Sequence, residues 1–279
     1  MTISGKARVA GVMGWPVGHS RSPRLHGYWL AQLGIDGAYV PMAVRPETVV
    51  EAVRALPLLG FAGCNLTVPH KELVLPALDR VSPLARRIGA VNTVVVDADG
   101  RIDGDNTDAF GFIESLREAV PAWRGRSGPA VVLGAGGAAR AVVAALQDAD
   151  VPEIRVANRT RARADALVRD LGGSAVDWSE RSHALDGASL LVNTTTQGMT
   201  GQPALDIDLG PLPASAVVAD IVYVPLTTPL LAAAAARGNP TVDGLGMLLH
   251  QARPGFARWF GVTPAVTPAL RAHVLGPAS

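Results

Sequence analysis

The chain of 279 residues carries 25 lysines and arginines against 24 aspartates and glutamates, and its net charge of +1 excludes a strongly basic nucleic-acid binder. Its 48% apolar and 18% charged content excludes a disordered chain. The length suits two domains of ordinary size, and the single cysteine, Cys64, excludes an internal disulfide. Cys64 lies in an apolar, strand-like run, which predicts a buried, inert thiol and a reducing, cytoplasmic setting. The N-terminus lacks the long apolar core of a signal peptide. The most apolar later stretch, AVVADIVYVPLTTPLLAAAAARG, is cut by Asp220, Pro225 and Pro229, so no membrane span is expected.

In chain order, RVAGVMG, GAYVPMAV, GCNLTV, AVNTVVVD, AVVLG, EIRVAN, SLLVNTT and VVADIVY read as strands. They alternate with helical patterns, which implies an α/β fold with mainly parallel sheets. Asp99-Gly100 in VVVDADGRIDGD signals a tight hairpin and hence an antiparallel edge. Ser22-Pro23 and Thr228-Pro229 open helices that Gly34 and Gly238 close. The linker-like PAWRGRSGP precedes a fresh first strand, placing a second domain core over about 127–244. Helical patterns on either side, FGFIESLREA and LGMLLHQA, predict that the chain crosses between domains twice.

GAGGAA (134–139) follows a strand and opens a helix, matching the G-x-G-x-x-G/A turn that lets backbone approach a pyrophosphate at a helix N-terminus. The tip of the next strand carries Asn158, Arg159 and Thr160, followed by Arg161 and Arg163, where an NAD-binding domain usually carries an acid. A guanidinium there suits a ribose phosphate, so NADP(H) is the expected cofactor. Upstream, GHSRSP, GAVNT and GDNTD group polar side chains at strand and helix ends, although Ser22, Asn106 and Asp108 would also serve as capping or turn residues. In NLTVPHKE, Pro69 fits the first position of a helix, which puts Lys71 in the first turn beside the positive dipole end. That is a poor place for a merely solvated cation, and it favours a chemical role.

Taken in order, GWPVGHSRSP, NLTVPHKE, GAVNT, GDNTD, GAGGAAR, NRT, NTTTQGM, DIVY and DGLGMLLHQA resemble the NADP-dependent shikimate dehydrogenase family over nearly the whole chain. The resemblance implies a two-lobed α/β fold. Its N-terminal, mainly parallel substrate domain would comprise residues 1–107 and 245–279, its connecting helix and linker 108–126, and its Rossmann-type NADP-binding domain 127–244. It implies that Ser20 and Ser22, with Tyr223, hold a substrate carboxylate. Asn65, Thr67, Asn92 and Gln251 would hold ring hydroxyls, and Lys71 with Asp108 would flank the oxidised carbon. Gly134, Gly136, Gly137 and Ala138 would contact the pyrophosphate, and Asn158, Arg159, Thr160 and Arg163 the ribose phosphate. Thr194, Met199, Val222, Gly244 and Met247 would line the rest of the cofactor site.

The chain departs from the family pattern at Trp15, Ala109 and Thr194, where Asn, Gly and Ala are common, and none of these removes a polar group the chemistry needs. Pro254-Gly255 predicts a kink or a second helix just after Gln251. The implied activity is reversible reduction of 3-dehydroshikimate to shikimate with NADPH, without metal. The alternatives are a relative acting on quinate or an aminated analogue, or a silent NADP sensor. The expected partner is the small-molecule substrate, with no nucleic acid or membrane, in a monomer or homodimer.

Overall fold

The β-branched runs form two six-stranded sheets, one in each of the two units into which the chain divides. The computed structural model describes residues 3–276. The first unit ends at Thr107 and resumes at Gln251, and the second is Asp108–His250. This division falls six residues beyond the return at residue 245 expected above, and it groups the helix that follows Thr107 with the second unit.

The first unit contains β1 (Arg8–Gly14), α1 (Ser22–Gln32), β2 (Gly37–Ala43), α2 (Val49–Arg54), β3 (Phe61–Leu66), α3 (His70–Leu73), β4 (Arg80–Val81), α4 (Pro83–Ile88), β5 (Thr93–Val96) and β6 (Ile102–Asp105). Its sheet runs β2-β1-β3-β5-β6-β4. β1 is parallel to β2 and β3, whereas β5 is antiparallel to both β3 and β6. The β5–β6 hairpin turns through a three-residue loop: the Asp97 N–H donates to the Arg101 carbonyl, and Gly100 takes φ +78°. It is not the sheet edge, because β4 pairs alongside β6. A two-residue strand such as β4 has too little pattern to be read from sequence. Met13, Val53, Leu56, Cys64, Leu66 and Val94 form the core beneath. Burial pushes the Cys64 thiol up, out of the reactive range.

The second unit contains α5 (Asp108–Ala119), β7 (Ala130–Leu133), α6 (Gly137–Asp148), β8 (Ile154–Ala157), α7 (Arg161–Leu171), β9 (Ser174–Val176), β10 (Leu190–Asn193), β11 (Val217–Asp220), α8 (Pro229–Ala236) and β12 (Thr241–Val242). Its sheet is parallel throughout, in the order β12-β11-β10-β7-β8-β9. Numbered from β7, that is the doubly wound order of a dinucleotide-binding fold. The central β7, AVVL, is buried along its length, as a strand covered on both faces must be.

α9 (Gly244–Phe260) runs unbroken through Pro254, so no second helix starts there. Proline removes the bond to the His250 carbonyl and crowds that carbonyl, and the fully buried Phe256 and Trp259 later in the helix offset this cost. Within the first unit, the Trp259 indole donates to the Val94 carbonyl at 2.9 Å, above Gly63, where a β-carbon would collide with both. α10 (Pro268–Leu275) closes the chain, its first turn capped by the Thr267 hydroxyl. Among the described residues no helix is long and apolar enough to cross a membrane.

Candidate active site

In the first unit the strand directions bring separate segments to one sheet edge. β1 and β3 run parallel and end there, and β5 begins there because it is antiparallel, with Asn65 opposite Thr93 and Thr93 opposite Asp105. Asn65, Asn92, Thr93 and Thr107 are buried at this edge together with Gln251. The Asn65 Nδ2 donates to the Asn92 carbonyl and to Thr93 Oγ1, both at 3.1 Å. The Asn92 Oδ1 accepts from the Thr107 N–H at 2.8 Å and from Thr93 Oγ1 at 2.9 Å, while its Nδ2 donates to Gln251 Oε1 at 3.2 Å. Three of the expected substrate contacts, Asn65, Asn92 and Gln251, therefore form one hydrogen-bonded set. Thr67 follows β3 directly, its N–H bonded to the Met13 carbonyl at 2.9 Å. Asn106 is also anchored, by its amide on the Ala90 carbonyl at 2.9 Å.

Ser20 and Ser22 lie at the start of α1, where the Ser22 N–H donates to Ser20 Oγ at 3.3 Å. Ser22 is not the N-cap: Arg21 holds that position in helical conformation, without a side-chain cap bond, and Ser22 sits buried inside the first turn. A helix starting one residue earlier than Ser22-Pro23 suggests leaves the serine hydroxyl without a capping task. α3 is only four residues long, with Pro69 at its N-cap rather than its first position. One turn builds little dipole, so the electrostatic strain expected for Lys71 is small. The Lys71 carbonyl accepts the Val91 N–H at 2.8 Å, which ties α3 to the segment carrying Asn92. The neighbouring His70 is buried, with Nε2 at 2.9 Å from the Val44 carbonyl, and desolvation lowers its pKa.

In the second unit the expected cofactor residues follow the carboxyl ends of the parallel strands, the edge where open α/β sheets bind ligands. Gly134 follows β7, Asn158 follows β8, Thr194 follows β10, Val222 lies two residues beyond β11 and Gly244 two beyond β12. Gly134 takes φ +112°, and a β-carbon there would strike the Thr194 hydroxyl, which itself donates to the Leu133 carbonyl at 2.7 Å. Gly136 caps α6 without a side-chain bond, and the space where its β-carbon would stand is open. A bare glycine turn at a twelve-residue helix fits a pyrophosphate, with Gly137 and Ala138 in the first turn. Arg161 is committed to Asp165 at 2.8 Å and Asp177 at 2.6 Å. Arg159 and Arg163 are exposed and have no ion-pair partner among the described residues, leaving two cations beside the β8 tip for a phosphate. Asn158 Nδ2 donates to the Thr160 carbonyl at 2.9 Å, bracing that tip.

A buried carboxylate organises the far end of this edge. Asp220 accepts from Asn193 Nδ2 at 3.0 Å, the Val222 N–H at 3.0 Å and Thr228 Oγ1 at 2.7 Å. Burial raises its pKa, and these bonds oppose the rise. The turn so held carries Val222 and Tyr223. Gly244 packs on it, where any side chain would collide with the Ile221 and Val222 carbonyls. Met199 is held by its N–H on the Thr196 carbonyl at 3.2 Å, and Met247 is buried in the first turns of α9. Asp108 opens α5 and is also buried. It belongs to the second unit, and the chain joins it directly to Thr107 at the polar edge of the first.

Tyr39, Thr93 and Asp220 are missing from the site expected from sequence, whereas Thr107 stood in the polar GDNTD group without an assigned role. The signal for Tyr39 was available: alternation puts it on the buried face of β2, where a phenol requires a partner. Among the described residues no group of three or more His, Cys, Asp or Glu is placed to hold a metal.

Family models match both halves of the chain. One described as "Shikimate dehydrogenase substrate binding domain" matches residues 12–94, and one described as "Shikimate / quinate 5-dehydrogenase" matches residues 122–200. The chain is 66% identical to a protein named "Shikimate dehydrogenase (NADP(+))" from Paramagnetospirillum magneticum, over 98% of this chain and 100% of that one. Among solved structures it is similar to shikimate 5-dehydrogenase from Thermus thermophilus in complex with NADP(H) and shikimate. That match has a TM-score of 0.86 and 39% identity, over 96% of this chain and 98% of the other. It is also similar to quinate dehydrogenase from Corynebacterium glutamicum in complex with NAD, with a TM-score of 0.89 and 34% identity over 96% and 99% of the two chains.

Proposed function

The chain belongs to the shikimate dehydrogenase family, and from that premise we propose how its residues perform the reversible, NADP(H)-dependent interconversion of 3-dehydroshikimate and shikimate. This reaction is a step of aromatic amino-acid biosynthesis. The first unit is the substrate-binding domain and the second the NADP-binding domain. Ser20 and Ser22, with Tyr223, bind the carboxylate, and Asn65, Thr67, Asn92 and Gln251 bind the ring hydroxyls. The observation that carries this reading is the hydrogen-bonded set of Asn65, Asn92 and Gln251, which fixes three amides at one strand-end edge before any ligand arrives.

When bound, the cofactor supplies hydride to the ring carbonyl carbon or removes it from the alcohol. Gly134, Gly136, Gly137 and Ala138 receive its pyrophosphate, and Asn158, Arg159, Thr160 and Arg163 its ribose phosphate. Thr194, Met199, Val222, Gly244 and Met247 bound the remaining surface. Reduction leaves an alkoxide that must gain a proton, and oxidation requires that proton to be taken back. Lys71 and Asp108 handle it: the ammonium donates toward the substrate oxygen, and the carboxylate accepts from the substrate hydroxyl.

Lys71→Ala tests this assignment. It keeps the backbone bond to Val91, so melting close to the parent is expected, while kcat falls by about 10² to 10⁴, the usual range for a positioned acid or base. The KM for NADP should stay within about twofold, since Lys71 does not touch the cofactor in this scheme. A stable variant that keeps most of its kcat would remove Lys71 from the mechanism. Shikimate and quinate, each assayed with NADP and with NAD, test the substrate. Preference for quinate with NAD would place the chain with the quinate-using neighbour instead.

A further inference from the structure

The Tyr39 phenol, which the mechanism above does not use, lies buried among aromatic rings with its oxygen aimed at the amide edge. Its O–H donates to Asn65 Oδ1 at 2.6 Å. His26 stacks on the ring face at 3.8 Å with an interplanar angle of 5°, and Trp259 leans on it at 5.9 Å, so the ring is held in place. Burial pushes the phenol well above its usual pKa, with the nearby Ser22 hydroxyl opposing this only in part, and the oxygen keeps its proton over the working range.

The polarity of the amide set follows from backbone groups whose roles are unambiguous. The Asn92 carbonyl only accepts, which makes the Asn65 atom facing it Nδ2. The Thr107 N–H only donates, which makes the Asn92 atom facing it Oδ1. Both Nδ2 hydrogens of Asn65 are engaged, on Asn92 and Thr93, and one lone pair of Oδ1 is held by Tyr39. Asn65 can therefore meet a ligand only as an acceptor, through the remaining lone pair of Oδ1. At the other end Gln251 turns its Oε1 to Asn92, which leaves its Nε2 donors on the opposite side of its amide.

We propose that Tyr39 is a positioning residue for the substrate: its O–H holds one lone pair of Asn65 Oδ1 and, with the two bonds made by Nδ2, aims the remaining lone pair to accept from a ring hydroxyl. The inference rests on Asn65 being a substrate contact, as read above. Removing the phenol hydroxyl leaves a buried oxygen without its donor, and only the two Nδ2 bonds then hold the Asn65 amide, which loosens its aim. The loss falls on substrate binding, because the hydroxyl recognised in this way changes no charge at Asn65 during the reaction.

The test compares Tyr39→Phe, Asn65→Ala and the double variant by steady-state kinetics and melting. Tyr39→Phe keeps the ring stack, so a Tm near the parent is expected. Its KM for shikimate should rise about threefold to tenfold, the span of one hydrogen bond, with a smaller fall in kcat and no parallel rise in the KM for NADP. The double variant should match Asn65→Ala alone, because Tyr39 acts through Asn65. If Asn65→Ala raises the shikimate KM and Tyr39→Phe does not, the positioning role is wrong and the substrate site stands. If Asn65→Ala leaves that KM unchanged, the substrate-contact reading fails and takes the inference with it. A Tyr39→Phe protein that melts far below the parent, or whose effect adds in full to that of Asn65→Ala, has lost a structural hydroxyl, and the inference is overturned.

Discussion

Three arginines in one short segment have different surroundings, and the difference separates the roles proposed for them. Arg161 is bound on both sides by Asp165 and Asp177, which raise its pKa further, so its charge is neutralised locally. Arg159, just past β8, and Arg163, in the first turn of α7, are exposed and have no ion-pair partner among the described residues. Arg159→Asp should cut NADP efficiency at least tenfold, because a charge-assisted hydrogen bond contributes about 1.5 to 3 kcal/mol, and should change NAD use far less. Arg161→Ala should leave the ratio of NADP to NAD efficiency near the parent value. Kinetics with both cofactors decide the matter, and equal losses for NADP and NAD in Arg159→Asp would remove the phosphate contact from the scheme.

At the scale of elements, loops after strands are positioned by buried polar groups rather than by their own propensity. Asp220 ends β11 and reaches Asn193 at the end of β10, the Val222 amide in its own turn and the Thr228 hydroxyl that caps α8. Asp220→Ala would strand all three donors in a buried site, at about 1 to 3 kcal/mol for each group left without a partner, so melting should fall clearly. The same variant should raise the KM for NADP, since the turn bearing Val222 and Tyr223 loses its anchor. A Tm within about a degree of the parent would show that the carboxylate does not organise the turn. α3 makes the complementary point: it is too short to stand alone, and it holds Lys71 only because the Lys71 carbonyl and His70 ring bond to neighbouring backbone.

At the scale of the whole molecule, a buried histidine that resists charging is expected to set part of the acid stability. His26 is fully buried between Tyr39, Trp29, Phe256 and Trp259, both ring nitrogens lack hydrogen-bond partners among the described residues, and desolvation lowers its pKa from 6.5 to about 3. The unfolded chain binds this proton below about pH 6.5 and the folded chain does not until about pH 3, so stability falls as pH drops through that window. Above it the contribution is fully present. His26→Phe removes the titration while keeping a ring in the stack, so its plot of Tm against pH should be flatter than the parent's between about pH 6.5 and 4. Parallel plots would assign the acid loss to carboxylates such as Asp97, whose pKa is lowered chiefly by the Arg101 backbone N–H.

Much of the cofactor half could be read from sequence, because its signals are contiguous. The strand, glycine turn and helix from Ala130 to Asp148, the missing acid after EIRVAN and the Thr228 cap each lie within one short segment, where local backbone geometry dictates the residue type. The substrate half was legible as a set of polar motifs and not as an arrangement. The bond from Asn92 to Gln251 joins positions 159 apart, and that from Tyr39 to Asn65 spans 26. No periodicity announces such pairings. Local rules also misplaced the start of α1 and broke α9 at Pro254, since tertiary packing offsets the weak propensities on which those readings rest. The sequence by itself determined which groups the chain carries and which short turns they flank. The tertiary structure decided which atom of each amide faces which neighbour, because hydrogen-bond direction is set by the backbone groups that distant strands bring to the same edge.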